Sequence, residues 1–79
     1  MKNKLNLSGL RCPDLIMILR KKIRTFHKGQ KILILADDPV SKRDITLFCH
    51  FMEHKLLVVS TNKIPYQFII EIGKKNMNY

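Results

Sequence analysis

Apolar positions follow two different periods along the chain, and these periods predict six secondary-structure elements. A spacing of three and four residues predicts one helix over residues 13–27 and a second from 39 to about 53. Alternating or continuous apolar runs predict four strands, at residues 4–7, 31–36, 55–61 and 64–72. The predicted order is therefore β-α-β-α-β-β.

Each predicted helix and the last predicted strand has one apolar face. On the first helix this face carries Leu15, Ile16, Leu19, Ile23 and Phe26. On the second helix it carries Ile45, Phe48, Cys49 and Met52. On the last strand it carries Tyr66, Phe68, Ile70 and Ile72. Two helices packed on one face of a four-stranded mixed sheet bury all three stripes, so we expect an α+β two-layer α/β sandwich. The chain is predicted to be a single domain over residues 1–79, with a frayed tail at 73–79.

Prolines and small polar residues mark the predicted helix ends. Pro13 suits the first position of the first helix, and Gly29 follows its last periodic residue. Asp38 is placed to cap the second helix, with Pro39 at its first position. The turn between the last two strands is assigned to residues 62–63.

Three apolar residues fall off the core faces of the helices. Met17 projects among charged residues of the first helix, nearly opposite its core stripe. Leu47 and Phe51 form an i,i+4 pair on a separate face of the second helix. Single exposed apolar residues are common, but two such features together predict a partner-binding surface.

The charge is strongly positive and unevenly distributed. The net charge is +9, and residues 1–31 carry nine basic side chains against one acid, Asp14. Such asymmetry suggests an anionic partner. Composition alone favours a solvated lysine-rich surface, so an anionic partner needs support from other features. The candidate patch contains Arg20, Lys21, Lys22, Arg24, Lys28 and Lys31. The central strand (ILIL) lacks the aromatic residues on which RNA-binding sheets stack bases, so a small basic RNA-binding module remains an alternative without further support.

The tripeptide Arg11-Cys12-Pro13 carries the best candidate for chemistry. It places a thiol where a loop meets a helix N-terminus, beside a guanidinium. Unpaired backbone N–H groups, the helix dipole and a neighbouring cation each lower the pKa of a cysteine and favour its thiolate. Cys49 lies on a core stripe instead, and we interpret it as a structural residue.

Other functional classes find little support. The H-x-x-E-H pattern at residues 50–54 resembles one group of metalloproteases, but it ends close to a predicted strand, so no metal site is assigned. The isolated glycines form no phosphate-binding loop, and no cofactor is expected. With neither a membrane-spanning run nor a secretory leader evident, we expect a cytoplasmic protein with no membrane partner.

The residues around Cys12 resemble the start of the TusA/SirA family, and the similarity is greatest to its TusA members. Residues 7–17 (LSGLRCPDLIM) contain the Cys-Pro of the family's Cys-Pro-x-Pro motif, with Leu15 in place of the second proline. Further similarity extends over most of the chain, at 36–39 (ADDP), 43–45 (RDI), 48–54 (FCHFMEH) and 65–66 (PY).

The resemblance implies the same two-layer fold and a role in a sulfur relay. It implies that Cys12 accepts a persulfide sulfur from a cysteine desulfurase and passes it to a downstream complex of cysteine proteins, for 2-thiolation of the wobble uridine in tRNA. Such a protein is a sulfurtransferase-type carrier rather than an independent multiple-turnover enzyme, and it meets tRNA only indirectly. A carrier of the same fold that feeds another pathway, such as molybdenum-cofactor maturation, is an alternative.

The resemblance also suggests roles for residues near the thiol. Arg11 and Pro13 are expected to activate Cys12. Partner docking is expected to involve Asp14, Met17, Arg20, Asp38 and Phe51.

Overall fold

The computed structural model describes residues 3–11 and 14–73. They contain six elements in the predicted order: β1 (Lys4–Asn6), α1 (Asp14–Ile23), β2 (Lys31–Ala36), α2 (Ser41–Met52), β3 (Lys55–Ser60) and β4 (Tyr66–Glu71). In the described part of the chain, neither helix has the length and apolar character that crossing a bilayer requires.

The four strands form one mixed sheet in the order β1-β2-β4-β3. β1 is parallel to β2, whereas β4 lies between β2 and β3 and is antiparallel to both. β1, β2 and β3 therefore share one direction, and each of the first two is followed by a helix. As a result, the β1–α1 and β2–α2 loops leave the sheet at the same edge.

Both helices cover one face of this sheet, which confirms the predicted two-layer sandwich. The central strands contribute fully buried side chains to the core at Ile32, Ile34, Ala36, Phe68 and Ile70. The helices contribute the buried side chains of Leu15, Leu19, Ile23, Ile45, Phe48 and Cys49. The remaining predicted core residues lie at the margin, where Ile16, Phe26, Met52 and Tyr66 are half-buried.

The first helix is shorter than predicted. It ends at Ile23 rather than near residue 27, because the chain tightens beyond that point. The amide of Thr25 donates to the carbonyl of Lys22 at 3.0 Å, and the amide of Phe26 donates to that of Ile23 at 3.0 Å. These bonds reach back three residues instead of four, as in a 3₁₀ turn. Pro13, the predicted first residue of the helix, lies outside the described residues.

The second helix begins later than predicted. Asp38 was expected to cap it, but helical geometry starts at Ser41, with Val40 at the cap position and no side-chain capping bond. The amide of Ser41 instead donates to the carbonyl of Asp38 at 2.9 Å, closing a turn ahead of the helix. The Asp38 carboxylate accepts the amide of Val40 at 3.1 Å, so it stabilises this turn.

Three strands are shorter than the apolar patterns predicted, while β2 has its predicted bounds. Leu7 and Ile72 lie just outside β1 and β4, yet both remain buried and donate backbone hydrogen bonds. The apolar pattern reflects which side chains are buried, and burial continues one residue beyond the last hydrogen-bonded pair of the strand. Within the predicted tail, Gly73 is described and packs against the end of α2, whereas residues 74–79 lie outside the described residues.

Candidate functional site

The β1–α1 loop, which contains the Arg-Cys-Pro motif, is held against the β2–α2 loop. The amide of Leu7 donates to the carbonyl of Leu35 at 2.7 Å, which extends the sheet contact by one residue. The amide of Gly9 donates to the carboxylate of Asp37 at 2.9 Å. Gly9 has a φ of 88°, a left-handed conformation that glycine adopts without steric cost. The motif therefore follows a turn with a defined position on the sheet.

Hydrogen bonding also orders the chain on both sides of Cys12. The amide of Leu15 donates to the carbonyl of Arg11 at 3.0 Å, a bond that reaches back four residues as in an α-helix. Cys12 and Pro13 themselves lie outside the described residues, so the site is defined by its flanks. α1 begins at Asp14, two residues after Cys12 in the sequence.

A guanidinium lies next to the motif. Arg11 Nη1 is 3.8 Å from Asp38 Oδ1, with the arginine side chain 67% exposed and the aspartate almost fully buried. Because the guanidinium is largely exposed to solvent and the two atoms are 3.8 Å apart, the pair contributes little free energy of folding, and we interpret the contact as positional. It anchors a cation beside the start of α1, where the helix dipole already favours negative charge. The two effects together suit a thiolate or another sulfur anion.

The predicted docking residues differ in exposure. Met17 is 62% exposed and Phe51 is 76% exposed, as their off-core positions predicted. Asp14 and Arg20 are also exposed on α1. Asp38 is only 6% exposed, and its carboxylate is engaged within the β2–α2 loop. Four of the five residues are therefore available for direct contact, while Asp38 positions its neighbours.

A groove of about 330 Å³ lies between the two helices. Its lining is mostly apolar and consists of Ile16, Arg20, Asp44, Leu47, Phe48, Phe51 and Met52. Arg20 also borders Met17 on the outer side of α1, so it connects the groove with that exposed methionine. The structure thus brings Met17, Arg20 and Phe51 onto one continuous surface.

Sequence reasoning did not assign Ile16 or Asp44 to this surface. Ile16 fits the core stripe by its spacing, but it is half-buried and lines the groove. Asp44 had no distinguishing pattern around it. The available signal was the Leu47–Phe51 pair, which identified the correct side of α2.

Cys49, His50 and His54 do not line this groove, although the ring of His50 lies 5.9 Å from that of Phe51. Cys49 is buried among core residues, and burial raises the pKa of its thiol to about 11. His50 is exposed, whereas His54 is buried and its Nδ1 accepts the amide of Gly73 at 3.1 Å. Within residues 3–11 and 14–73, no three His, Cys, Asp or Glu side chains are grouped as metal ligands.

Comparison with known protein families assigns the chain as the motif suggested. The family described as sulfurtransferase TusA matches residues 3–72, which is nearly the whole sequence. The chain belongs to the TusA family. Proteins of the TusA family take sulfur from a donor and pass it to other proteins, so a sulfur-carrier role follows for this chain.

Proposed function

We propose that Cys12 carries the sulfur, as a persulfide. In this scheme the Cys12 thiolate attacks the terminal sulfur of a donor persulfide. A new S–S bond forms at Cys12, the S–S bond of the donor breaks, and the donor leaves as a thiolate. An acceptor thiolate then attacks the outer sulfur on Cys12 and restores its thiolate. Each step conserves electrons, so no external oxidant or reductant is needed.

The match to the TusA family over residues 3–72, which include Cys12, is the observation that carries this proposal. The flanks of the motif support it, because the first turn of α1 and the Arg11 guanidinium both favour a sulfur anion. Proline is favoured at the start of helices, where its missing N–H costs no hydrogen bond, so Pro13 of the motif suits the scheme by its place in the sequence. Cys49 is a poor alternative, since it is buried and its pKa is raised.

Leu15 replaces the second proline of the motif, and the structure accommodates it. Its side chain is 1% exposed and packs in the core. Its amide donates to the carbonyl of Arg11, a hydrogen bond that a proline at this position cannot make. The loss of a rigid proline is therefore offset locally by a backbone bond across the carrier position.

We assign the donor as a cysteine desulfurase and the acceptor as a downstream cysteine protein complex. The destination proposed for the sulfur is the 2-position of the wobble uridine in tRNA, as family membership suggests. Docking is assigned to Met17, Arg20 and Phe51 on and beside the α1–α2 groove, and to the exposed Asp14 at the start of α1. Asp38 acts through Arg11, because its own side chain is buried.

Intact-mass analysis after incubation with a cysteine desulfurase and cysteine tests the carrier residue. The wild-type chain is expected to gain sulfur that a reductant removes. Cys12→Ser abolishes the gain because it removes the nucleophile, whereas Cys49→Ser retains it. Gain of sulfur by Cys12→Ser, or none by a folded wild-type chain, would contradict the proposal.

Reconstitution with the acceptor proteins and tRNA tests the pathway separately. Formation of 2-thiouridine that requires loaded Cys12 supports the tRNA pathway. A chain that accepts sulfur on Cys12 but yields no thiolated tRNA belongs to another sulfur pathway.

A further inference from the structure

The outward side of α1 carries a basic surface that the proposed relay chemistry does not use. Lys21 and Lys22 in the last turn of α1, and Arg24 just after the helix, are all exposed, and we call these three residues the α1 basic cluster. Lys21 and Arg24 line a shallow depression of about 370 Å³ together with Met17 and Arg20. The cluster lies at the C-terminal end of α1, whereas Arg11 precedes the start of this helix.

The positive charge of this cluster is not balanced locally. The ion pairs Arg11–Asp38 and Arg43–Asp44 do not involve the cluster. The single acid of residues 1–31 is Asp14, at the far end of the helix. Residues 32–72 are nearly neutral by comparison, with four basic and five acidic side chains. The net charge of +9 is therefore concentrated towards α1 and its flanking loops.

The spacing of these cations suits a phosphate backbone. Lys21 and Arg24 line the same depression, so they present charge on one side of the molecule. A polynucleotide carries one phosphate charge per nucleotide along its backbone, which lets adjacent cations contact neighbouring phosphates. Arginine also binds phosphate oxygens in a bidentate manner.

The open face of the sheet, within the described residues, has no aromatic platform in its central part for binding bases. Its central part carries Leu33, Leu35 and Ile69 rather than aromatic residues that could stack on bases. Phosphate contacts of the kind available on α1 position a protein without selecting a sequence. A partner recognised by its backbone is thus favoured over one recognised by its bases.

We propose that the α1 basic cluster binds the phosphate backbone of RNA directly. The choice of RNA as the polyanion rests on the proposed function, since a carrier that supplies sulfur for tRNA gains from being held near tRNA. The contact is independent of Cys12 and lies outside the α1–α2 groove, so carrier and RNA contacts use different residues.

Fluorescence anisotropy with a labelled, unmodified tRNA transcript tests this contact in a salt series. The triple variant Lys21→Gln, Lys22→Gln, Arg24→Gln is expected to bind about tenfold more weakly at moderate salt. The slope of log affinity against log salt is expected to flatten by about two to three, because fewer counterions are released. Circular dichroism checks that the variant, altered only at exposed positions, remains folded.

The matched control removes the same charge elsewhere. Lys42→Gln, Lys55→Gln, Lys63→Gln changes three exposed lysines outside α1 and should keep the wild-type affinity within about twofold. Equal weakening by both triple variants would show that only net charge matters and would overturn the proposal. Unchanged binding by the α1 variant would overturn it as well.

Two further measurements separate RNA binding from the carrier function. Cys12→Ser should bind the transcript like the wild type, because the thiol is not part of the cluster. The α1 triple variant should still gain sulfur from a cysteine desulfurase. If that variant instead lost desulfurase binding and kept RNA affinity, the cluster would be a site for an acidic protein surface, and the RNA proposal would be wrong.

Discussion

At the scale of single residues, the two cysteines have opposite environments. Cys49 is 2% exposed on the core side of α2, as its position in the apolar stripe predicted. With its pKa raised by burial to about 11, about one Cys49 thiol in a thousand is ionised at pH 8. Since the thiolate is the nucleophile, Cys49 is protected both by its protonation and by its inaccessibility.

Alkylation under native conditions should therefore modify one cysteine only. With iodoacetamide at pH 8, we expect one adduct to form rapidly on Cys12 and a second to form only after denaturation. The measurement is intact mass over time, with and without denaturant. Cys12→Ser should remain unmodified while folded, and a rapid adduct on that variant would show that Cys49 is accessible.

At the scale of elements, the two helices each contribute to the core and to a surface for partners. α1 buries Leu15, Leu19 and Ile23 but exposes Met17, and α2 exposes Phe51 beside its buried residues. The groove between the helices has a mostly apolar lining. Exposed apolar side chains around such a groove become buried when a partner docks, which favours association.

Polar substitution of either exposed residue should slow sulfur acceptance without unfolding the protein. For Met17→Ser and Phe51→Ser we expect changes in the free energy of unfolding within about 0.5 kcal/mol. The affinity for the cysteine desulfurase should fall about tenfold, because docking loses buried apolar area. One measurement follows the loading of Cys12 by mass at a limiting concentration of carrier. A direct binding titration measures the affinity.

Ile64→Ser is the matched control for these two variants. Ile64 is 67% exposed in the β3–β4 connection, a degree of exposure between those of Met17 and Phe51. It should load with sulfur at the wild-type rate. A loss equal to that of Phe51→Ser would mean that exposed apolar residues contribute regardless of position, and the groove would not be the docking site.

At the scale of the whole molecule, the sequence predicted what depends on periodicity and not what depends on distant contacts. The buried faces followed from spacing, since a helix or strand places its apolar residues on one side wherever it packs. The predicted end of α1 was wrong because a 3₁₀ turn follows Ile23. This turn keeps Phe26 half-buried without α-helical geometry. The contact of Gly9 with Asp37 joins loops 28 residues apart, and only the parallel pairing of β1 and β2 brings them together.

A second long-range contact of this kind closes the opposite end of the sheet. α2 terminates with Glu53 in the left-handed region, at a φ of 61°, and with the amide of His54 bonded to the carbonyl of Cys49. Gly73 crosses this terminus so closely that a β-carbon there would clash with the carbonyl oxygen of Glu53. Its amide donates to Nδ1 of the buried His54. The imidazole therefore connects the segment after β4 to the end of α2.

This connection requires a neutral imidazole. Nδ1 accepts a hydrogen bond and must be unprotonated, while Nε2 is buried without a hydrogen-bond partner among the described residues. Protonation would break the bond to Gly73 and place a charge beside the ring of Phe48, whose centroid is 5.8 Å away. Glu53 and Lys55 flank His54 in sequence and carry opposite charges. Burial is the cause that lowers the pKa of His54 below its ordinary value of 6.5.

Global stability should accordingly fall as the pH is lowered from 7.5 to 5. The folded pKa of His54 is depressed, so its contribution is complete above the unfolded value of about 6.5. It is lost as the pH falls through the folded pKa, because the unfolded chain then binds the extra proton.

Urea denaturation at each pH measures the free energy of unfolding. His54→Asn keeps a side-chain acceptor without a titrating group, so it should start less stable and lose less over the same range. Both proteins carry the same other side chains, so the difference between the two curves isolates His54. Parallel curves would contradict a buried neutral imidazole and would show that the pH dependence arises elsewhere in the molecule.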